Sequence, residues 1–199
     1  MPATPAPRRF RNVDRWGPVS QLLHWGIVVL ILTMAVLGLT MTELPNSPDK
    51  VRLFALHKSI GLTILALMAL RLTWRVIAGR PKDLPMPQWQ HRIAQISHAG
   101  LYVLLFAVPL SGWLVNSASG FPLRWFGLFR VPSIAARDHA LHEFAESLHE
   151  WLFWTLILLV LVHASAAIYH HLFMRDSTLA RMLPGGWLHD PATEEPRDA

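Results

Sequence analysis

Two histidines, His149 and His163, close the two ends of the apolar segment HEWLFWTLILLVLVH. Their 14-residue separation, at ~1.5 Å rise per residue, is about 21 Å, roughly two-thirds of a ~30 Å hydrocarbon core. At ~100° per residue the second histidine returns to within about 40° of the first. One helix therefore presents two imidazoles to nearly the same side, at two depths of a membrane. A histidine in such surroundings is costly unless it has a partner. The pair predicts two cofactors, one above the other.

The rest of the composition suits that setting. The chain of 199 residues is 52% hydrophobic and 16% charged, against about 25% charged in soluble domains. Its mean hydropathy is +0.32. With 9 Trp and 9 Phe it reads as a small integral membrane protein in contact with membrane lipid. The absence of cysteine excludes disulfides, thiolate zinc sites, Cys₄ iron–sulfur clusters and covalent c-type haem attachment. The net charge of +5 fits charged loop ends, and no nucleic-acid partner is expected.

Four apolar runs, 19–41, 53–77, 93–115 and 144–173, each approach the ~20 residues that span a bilayer. All should be helices, because backbone facing lipid must satisfy its own hydrogen bonds. The expected fold class is all-α, a four-helix transmembrane bundle over residues 1–184, with a tail at 185–199. Pro109 should kink the third helix. The first run contains His24 and no small-residue cleavage site follows it, so it is not read as a secretory signal. The segments Met1–Pro7 and Pro81–Pro87 and the acidic stretch after Asp190 read as solvated connectors. Of the 18 lysines and arginines, twelve flank the N-terminus, the second connection and the C-terminus, among them Arg8, Arg9, Arg11, Arg15 and Arg197. By the positive-inside rule both termini are cytoplasmic.

Topology then pairs the histidines. His24, near the start of the first helix, shares a side with His163. His57, near the start of the second, shares the other side with His149. Neutral imidazole is a common axial ligand of haem iron, and a four-helix bundle houses such groups well. The reading is two haems, with iron held by His24, His57, His149 and His163. Two further carboxylates per haem want cations: Arg71 and Arg75 for the inner one, Lys58 and Arg52 for the outer. His98 is read as a hydrogen-bonding neighbour of a propionate or ligand. His170 or His171 could donate to a quinone carbonyl. Gly26, Gly38, Gly61, Gly100 and Gly112 either admit a flat porphyrin or allow close helix contact, and Trp16, Trp25, Trp74, Trp113, Trp151 and Trp154 mark the interfaces. His139, His142, Glu143 and Glu146 form either a surface zinc site or a solvated amphipathic start to the fourth helix. His91, His139 and His189 read as exposed.

The segments VSQLLHWGIVVL, ALHKSIGLTILALMALRLTWR, ISHAGLYVLLFAVPLSGWL and LHEWLFWTLILLVLVHASAAIYHHLFMRDSTLARMLP resemble the bacterial cytochrome b561 family, and with it the b-type cytochrome subunits of nickel–iron hydrogenases. The resemblance covers about Arg15 to Pro184. It implies a di-haem b protein of the bacterial inner membrane, with ligands falling on His24, His57, His149 and His163, that exchanges electrons with ubiquinone. For some members it implies oxidation of superoxide at the periplasmic face. A positive field from Arg52, Lys58, Arg124, Arg130 and Arg137 would steer such a small anion. The expected function is electron transfer between a periplasmic donor, superoxide or a redox protein, and ubiquinone. The alternative is a subunit that anchors a hydrogenase or dehydrogenase and relays its electrons to quinone.

Overall fold

The computed structural model describes residues 12–188; Arg8, Arg9, Arg11, His189, Arg197 and the segments Met1–Pro7 and beyond Asp190 lie outside them. Four helices follow in order: α1 (Pro18–Glu43), α2 (Pro48–Ala78), α3 (Gln88–Ser119) and α4 (His139–Leu172). Each is long and apolar enough to cross a membrane, and the chain is a multi-pass membrane protein. Four crossings leave both ends of the described chain on one side, called here the terminal side; the opposite side is the loop side.

The helices begin earlier than their apolar runs. Apolarity marks where lipid lies, whereas a cap marks where the backbone turns helical. Ser47 caps α2 by accepting a hydrogen bond from the Lys50 N–H (3.2 Å), ahead of Pro48. Asp138 caps α4 by accepting from Leu141 N–H (2.9 Å). These caps place the starts at Pro48 and His139 rather than Leu53 and Phe144. α3 runs unbroken through Pro109.

α1 packs on α2 and α3 on α4, and α2 joins the two pairs through α3; α1 and α4 scarcely touch. The core sits at mid-depth, where Ile27, Ile31 and Leu37 of α1 meet Ile60, Ile64 and Met68 of α2, backed by Tyr102, Leu105 and Phe106 of α3. Side chains such as Leu22, Val29, Val36, Val76 and Leu158 point outward, as a lipid-facing surface requires.

One element departs from an all-helical reading. Between α3 and α4 the chain forms an antiparallel hairpin, β1 (Leu123–Trp125) and β2 (Phe129–Val131), in register Leu123↔Val131, Arg124↔Arg130 and Trp125↔Phe129. Its turn has Phe126 at φ 45° and Gly127 at φ 75°, and the Leu128 N–H donates to the Trp125 carbonyl (2.9 Å). Two consecutive positive φ values are what a type I′ turn requires. The hairpin is fastened to α2: Trp125 Nε1 donates to Thr63 Oγ1 (3.1 Å), and Ser59 Oγ accepts from the Phe126 N–H (2.9 Å). The rest of this connection is tied to α3 by Trp113 Nε1 donating to the Pro132 carbonyl and by Ser117 Oγ accepting from Ile134 N–H (2.9 and 3.1 Å).

On the terminal side a clasp bridges the chain ends. Arg15 Nη2 donates to the carbonyls of Ala180 and Leu183 (2.9 and 2.8 Å), in and beside the 3₁₀ turn Ala180–Met182. Gln21 Nε2 donates to Leu183 O (2.9 Å), Trp25 Nε1 to Met182 O (3.0 Å), and Arg181 Nε to Asp14 O. Asn12 Nδ2 reaches Gly79 O (2.6 Å), which ties the second connection to the same segment. These bonds hold the C-terminal segment onto α1 where α1 and α4 do not pack. Arg15→Ala removes two charge-assisted hydrogen bonds at once. It should cost about 1–3 kcal/mol and lower the apparent melting temperature in detergent by several degrees, while far-UV circular dichroism at low temperature keeps its helical signal.

Candidate functional site

On the loop side, His57 of α2 and His149 of α4 face each other with ring centres 6.2 Å apart and planes at 76°. His149 Nδ1 lies 3.0 Å from the Val108 carbonyl and 2.9 Å from Ser111 Oγ. A carbonyl only accepts, so Nδ1 carries the proton and Nε2 keeps its lone pair. The Ser111 hydroxyl gives its own hydrogen to Val108 O (2.8 Å) and so accepts from the same N–H. The orientation of His149 and its free nitrogen are thus set by α3. His57 Nδ1 is buried with no hydrogen-bond partner among the described residues. Glycines flank both rings: a Cβ at Gly38 would lie 3.5 Å from His57 Cε1, and one at Gly112 only 3.1 Å from His149 Cε1.

On the terminal side, His24 of α1 and His163 of α4 stand 6.5 Å apart, centre to centre, with planes at 78°. His98 of α3 lies 5.2 Å from His163. Arg71 Nη1 is 2.7 Å from His24 Nδ1. A guanidinium only donates, so here the lone pair of His24 sits on Nδ1. Arg75 Nη1 donates to the Tyr102 hydroxyl (3.3 Å), and its guanidinium lies over the rings of Tyr102 (5.4 Å) and Trp16 (5.6 Å). A Cβ at Gly26 would meet nothing within 4 Å.

The helices that carry the paired histidines are not the ones that pack together. α4 meets α1 and α2 through its histidine rings, while its packing partner is α3.

A sequence model of prokaryotic cytochrome b561 matches residues 15–185. The chain belongs to the prokaryotic cytochrome b561 family. It is 37% identical to cytochrome b561 homolog 2 of Escherichia coli over 178 residues, covering 85% of this chain and 92% of that protein. It is 28% identical to cytochrome b561 homolog 1 of the same organism, over 86% of this chain and 98% of that one. It is 26% identical to a probable superoxide oxidase of Yersinia pestis, over 81% of this chain and 92% of that one. A b-type cytochrome carries haem b, so the two histidine pairs can be tested against that group. An imidazole nitrogen sits about 2 Å from a metal it binds. With the ring centre about 1 Å further, two axial imidazoles have centres about 6 Å apart. Both pairs match. The oriented Nε2 of His149, the unpartnered Nδ1 of His57 and the glycines beside both rings fit a flat group ligated from two sides.

The remaining candidates of this cytochrome fall in different places. Lys58 is half-buried beside His57. Arg52 is turned to an exposed pair with Asp49 (3.1 Å), so the structure gives it a local partner on its own helix. His170 Nδ1 is 2.6 Å from Asp176 Oδ2. His139 and His142 make i,i+4 pairs with Glu143 (3.6 Å) and Glu146 (3.9 Å), His142 Nδ1 also reaches the Val115 carbonyl (3.2 Å), and no group of three or more metal-capable side chains exists among the described residues. The zinc alternative therefore lacks a site; the segment is the amphipathic start of α4. His91, expected to be exposed, is partly covered and bonds Gln95 (2.8 Å). Ser111, Tyr102 and Asp176 were not singled out from sequence. Tyr102 follows His98 by one helical turn and so shared a face with a residue already under consideration.

Gly112→Ala places a methyl against His149, whose ring is pinned by Val108 and Ser111 and cannot retreat. The variant should lose a substantial part of its haem in a pyridine haemochrome assay. Gly38→Ala, at ordinary van der Waals distance from His57, should keep it.

Proposed function

We propose that this cytochrome holds two haems b, one between His57 and His149 and one between His24 and His163, and carries electrons from a donor at the loop side to a quinone at the terminal side. The observation that carries the reading is the pair of ring separations, 6.2 and 6.5 Å, at two levels of one helix. Bound haem supplies one-electron redox chemistry, and the two levels make a path through the membrane. The chain's own residues ligate, orient and balance charge. His149 is oriented by Val108 and Ser111. For His24 to offer Nε2 to iron, its proton must sit on Nδ1, and Arg71, a pure donor, must give up that nitrogen. A propionate is the acceptor that would draw Arg71 away. His98, Arg75 and Tyr102 lie at the same level. On the other level Lys58 is the cation at hand.

The excess of basic residues on the terminal side supports an orientation with both termini in the cytoplasm of a bacterial inner membrane. The loop side then faces the periplasm. Superoxide fits as the donor there: losing one electron converts it to dioxygen. One of this chain's relatives is a probable superoxide oxidase. Arg124 and Arg130 stand directly opposite each other on the hairpin, both exposed. Like charges so placed repel, and a passing anion would be attracted to both.

Two tests follow. A haemochrome assay on the purified protein should give two haems per chain. His149→Ala should remove one spectral component and His163→Ala the other; one haem in the wild type, or loss of the same component in both variants, contradicts the pairing. For the donor, haem reduction by superoxide in stopped flow should slow as salt rises, since screening is already strong at ~0.15 M, where the Debye length is about 8 Å. The double variant Arg124→Gln/Arg130→Gln should be slower at low salt with its haem intact. A rate indifferent to both would point to a protein donor and the subunit role.

A further inference from the structure

Four histidines of α4 recur at seven-residue spacing: His142, His149, His163 and His170, with the buried Leu156 at the intervening position. A seven-residue step drifts only ~20° around a helix, so all four share one stripe. His170 continues the line of His163 by two turns, about 10 Å toward the terminal surface. It is held more firmly than an interfacial histidine needs to be. Its Nδ1 lies 2.6 Å from Asp176 Oδ2, and the two side chains are only 18% and 25% exposed. The chain reaches this contact by a tight reversal. Arg175 adopts φ 51°, a left-handed conformation that L-residues other than Asn and Asp seldom adopt. Asp176 N–H then donates to the His170 carbonyl (3.2 Å), and Asp176 Oδ1 accepts from Thr178 N–H (2.8 Å). Burial alone would push the Asp176 carboxyl up, but hydrogen bonds from Thr178 and His170 outweigh it and hold the carboxyl below its ordinary value. Strain at Arg175 is thus maintained by a carboxylate that grips one imidazole nitrogen and leaves the other, Nε2, without a hydrogen bond among the described residues.

We infer that Asp176 is a positioning residue that fixes His170 with Nδ1–H toward the carboxylate and Nε2 toward a quinone oxygen, so that His170 hands over a proton as the quinone is reduced. The inference rests on the quinone reading above and names the group that supplies the proton. A carboxylate on the far nitrogen orients the ring and fixes which nitrogen it presents, the arrangement that general acid–base histidines use. The balance is simple. A quinone takes two electrons, which bound haem would supply, and two protons. The Nε2–H bond of the His170 imidazolium breaks as one O–H bond forms, leaving neutral imidazole with its proton on Nδ1. Water at the terminal surface restores the imidazolium and provides the second proton.

The test compares two oxidants of the dithionite-reduced full-length protein. Decyl-ubiquinone needs protons; ferricyanide takes an electron and none. Asp176→Asn keeps the size of the side chain and removes its charge. It should leave haem content and ferricyanide oxidation unchanged, and slow oxidation by decyl-ubiquinone at least about tenfold, less than the ~10²–10⁴-fold of a whole general acid because His170 itself remains, through kcat rather than KM. Asp176→Glu should recover part of the rate. Independently of turnover, ¹⁵N spectra of histidine-labelled protein, recorded with the ring in its neutral form and with His170 identified by its loss in His170→Gln, should show the Nδ1–H tautomer in the wild type and a tautomer mixture in Asp176→Ala. A wild-type quinone rate in Asp176→Asn overturns the inference and leaves the quinone reading standing. Equal slowing with both oxidants assigns Asp176 a purely structural role and also overturns it. Failure of the wild type to reduce decyl-ubiquinone overturns both readings.

Discussion

A polar ring inside a membrane helix must be partnered, and in this protein that requirement governs how the helices are arranged. α4 is packed against α3, yet its two central histidines face α1 and α2, the helices it hardly touches. Ordinary ridge-into-groove packing would bring α4 onto those neighbours at 8–10 Å. Facing imidazoles hold them apart instead, and the glycines at 38 and 112 thin the backbone beside each ring. The aliphatic core is confined to the mid-depth between the two histidine levels. Stability elsewhere comes from the surfaces: the Arg15–Gln21–Trp25 clasp on the terminal side and the Trp125–Thr63 hairpin anchor on the loop side.

The two levels are not equivalent. The His149 ring is locked by a carbonyl and a hydroxyl, with a defined proton and a free nitrogen. The His24 ring receives a cation on the nitrogen that should carry a proton in a ligated state. One level is preorganised through neutral backbone and side-chain groups, and the other through a cluster of Arg71, Arg75, Tyr102 and His98. Hydrogen bonding and nearby charge are the protein's means of tuning a haem. The levels therefore have different environments, as the proposed electron path requires.

Much of this was readable in the sequence because it depends on period and depth alone. Helix length, the 14-residue spacing of His149 and His163, and the alternation of crossing direction suffice to bring His24 to His163 and His57 to His149. What was not readable depends on chain reversals. The hairpin arises from a positive-φ turn at Phe126–Gly127 whose flanking strands have three residues each; the Gly between short aromatic runs in LRWFGLFRV was its signal. Asp176 meets His170 only because Arg175 reverses the chain. Arg52 looked available to a propionate until Asp49, three residues away, took it. Helix starts were set by Ser47 and Asp138, polar residues that hydropathy does not weigh.

Two metal centres at two levels of α4 are the central requirement of the proposed function. Dipolar electron paramagnetic resonance on the oxidised protein measures the separation of two paramagnetic irons directly. Fourteen residues of helix at ~1.5 Å each predict about 20 Å between two low-spin centres. A single iron, or two within about 10 Å of each other, would contradict it.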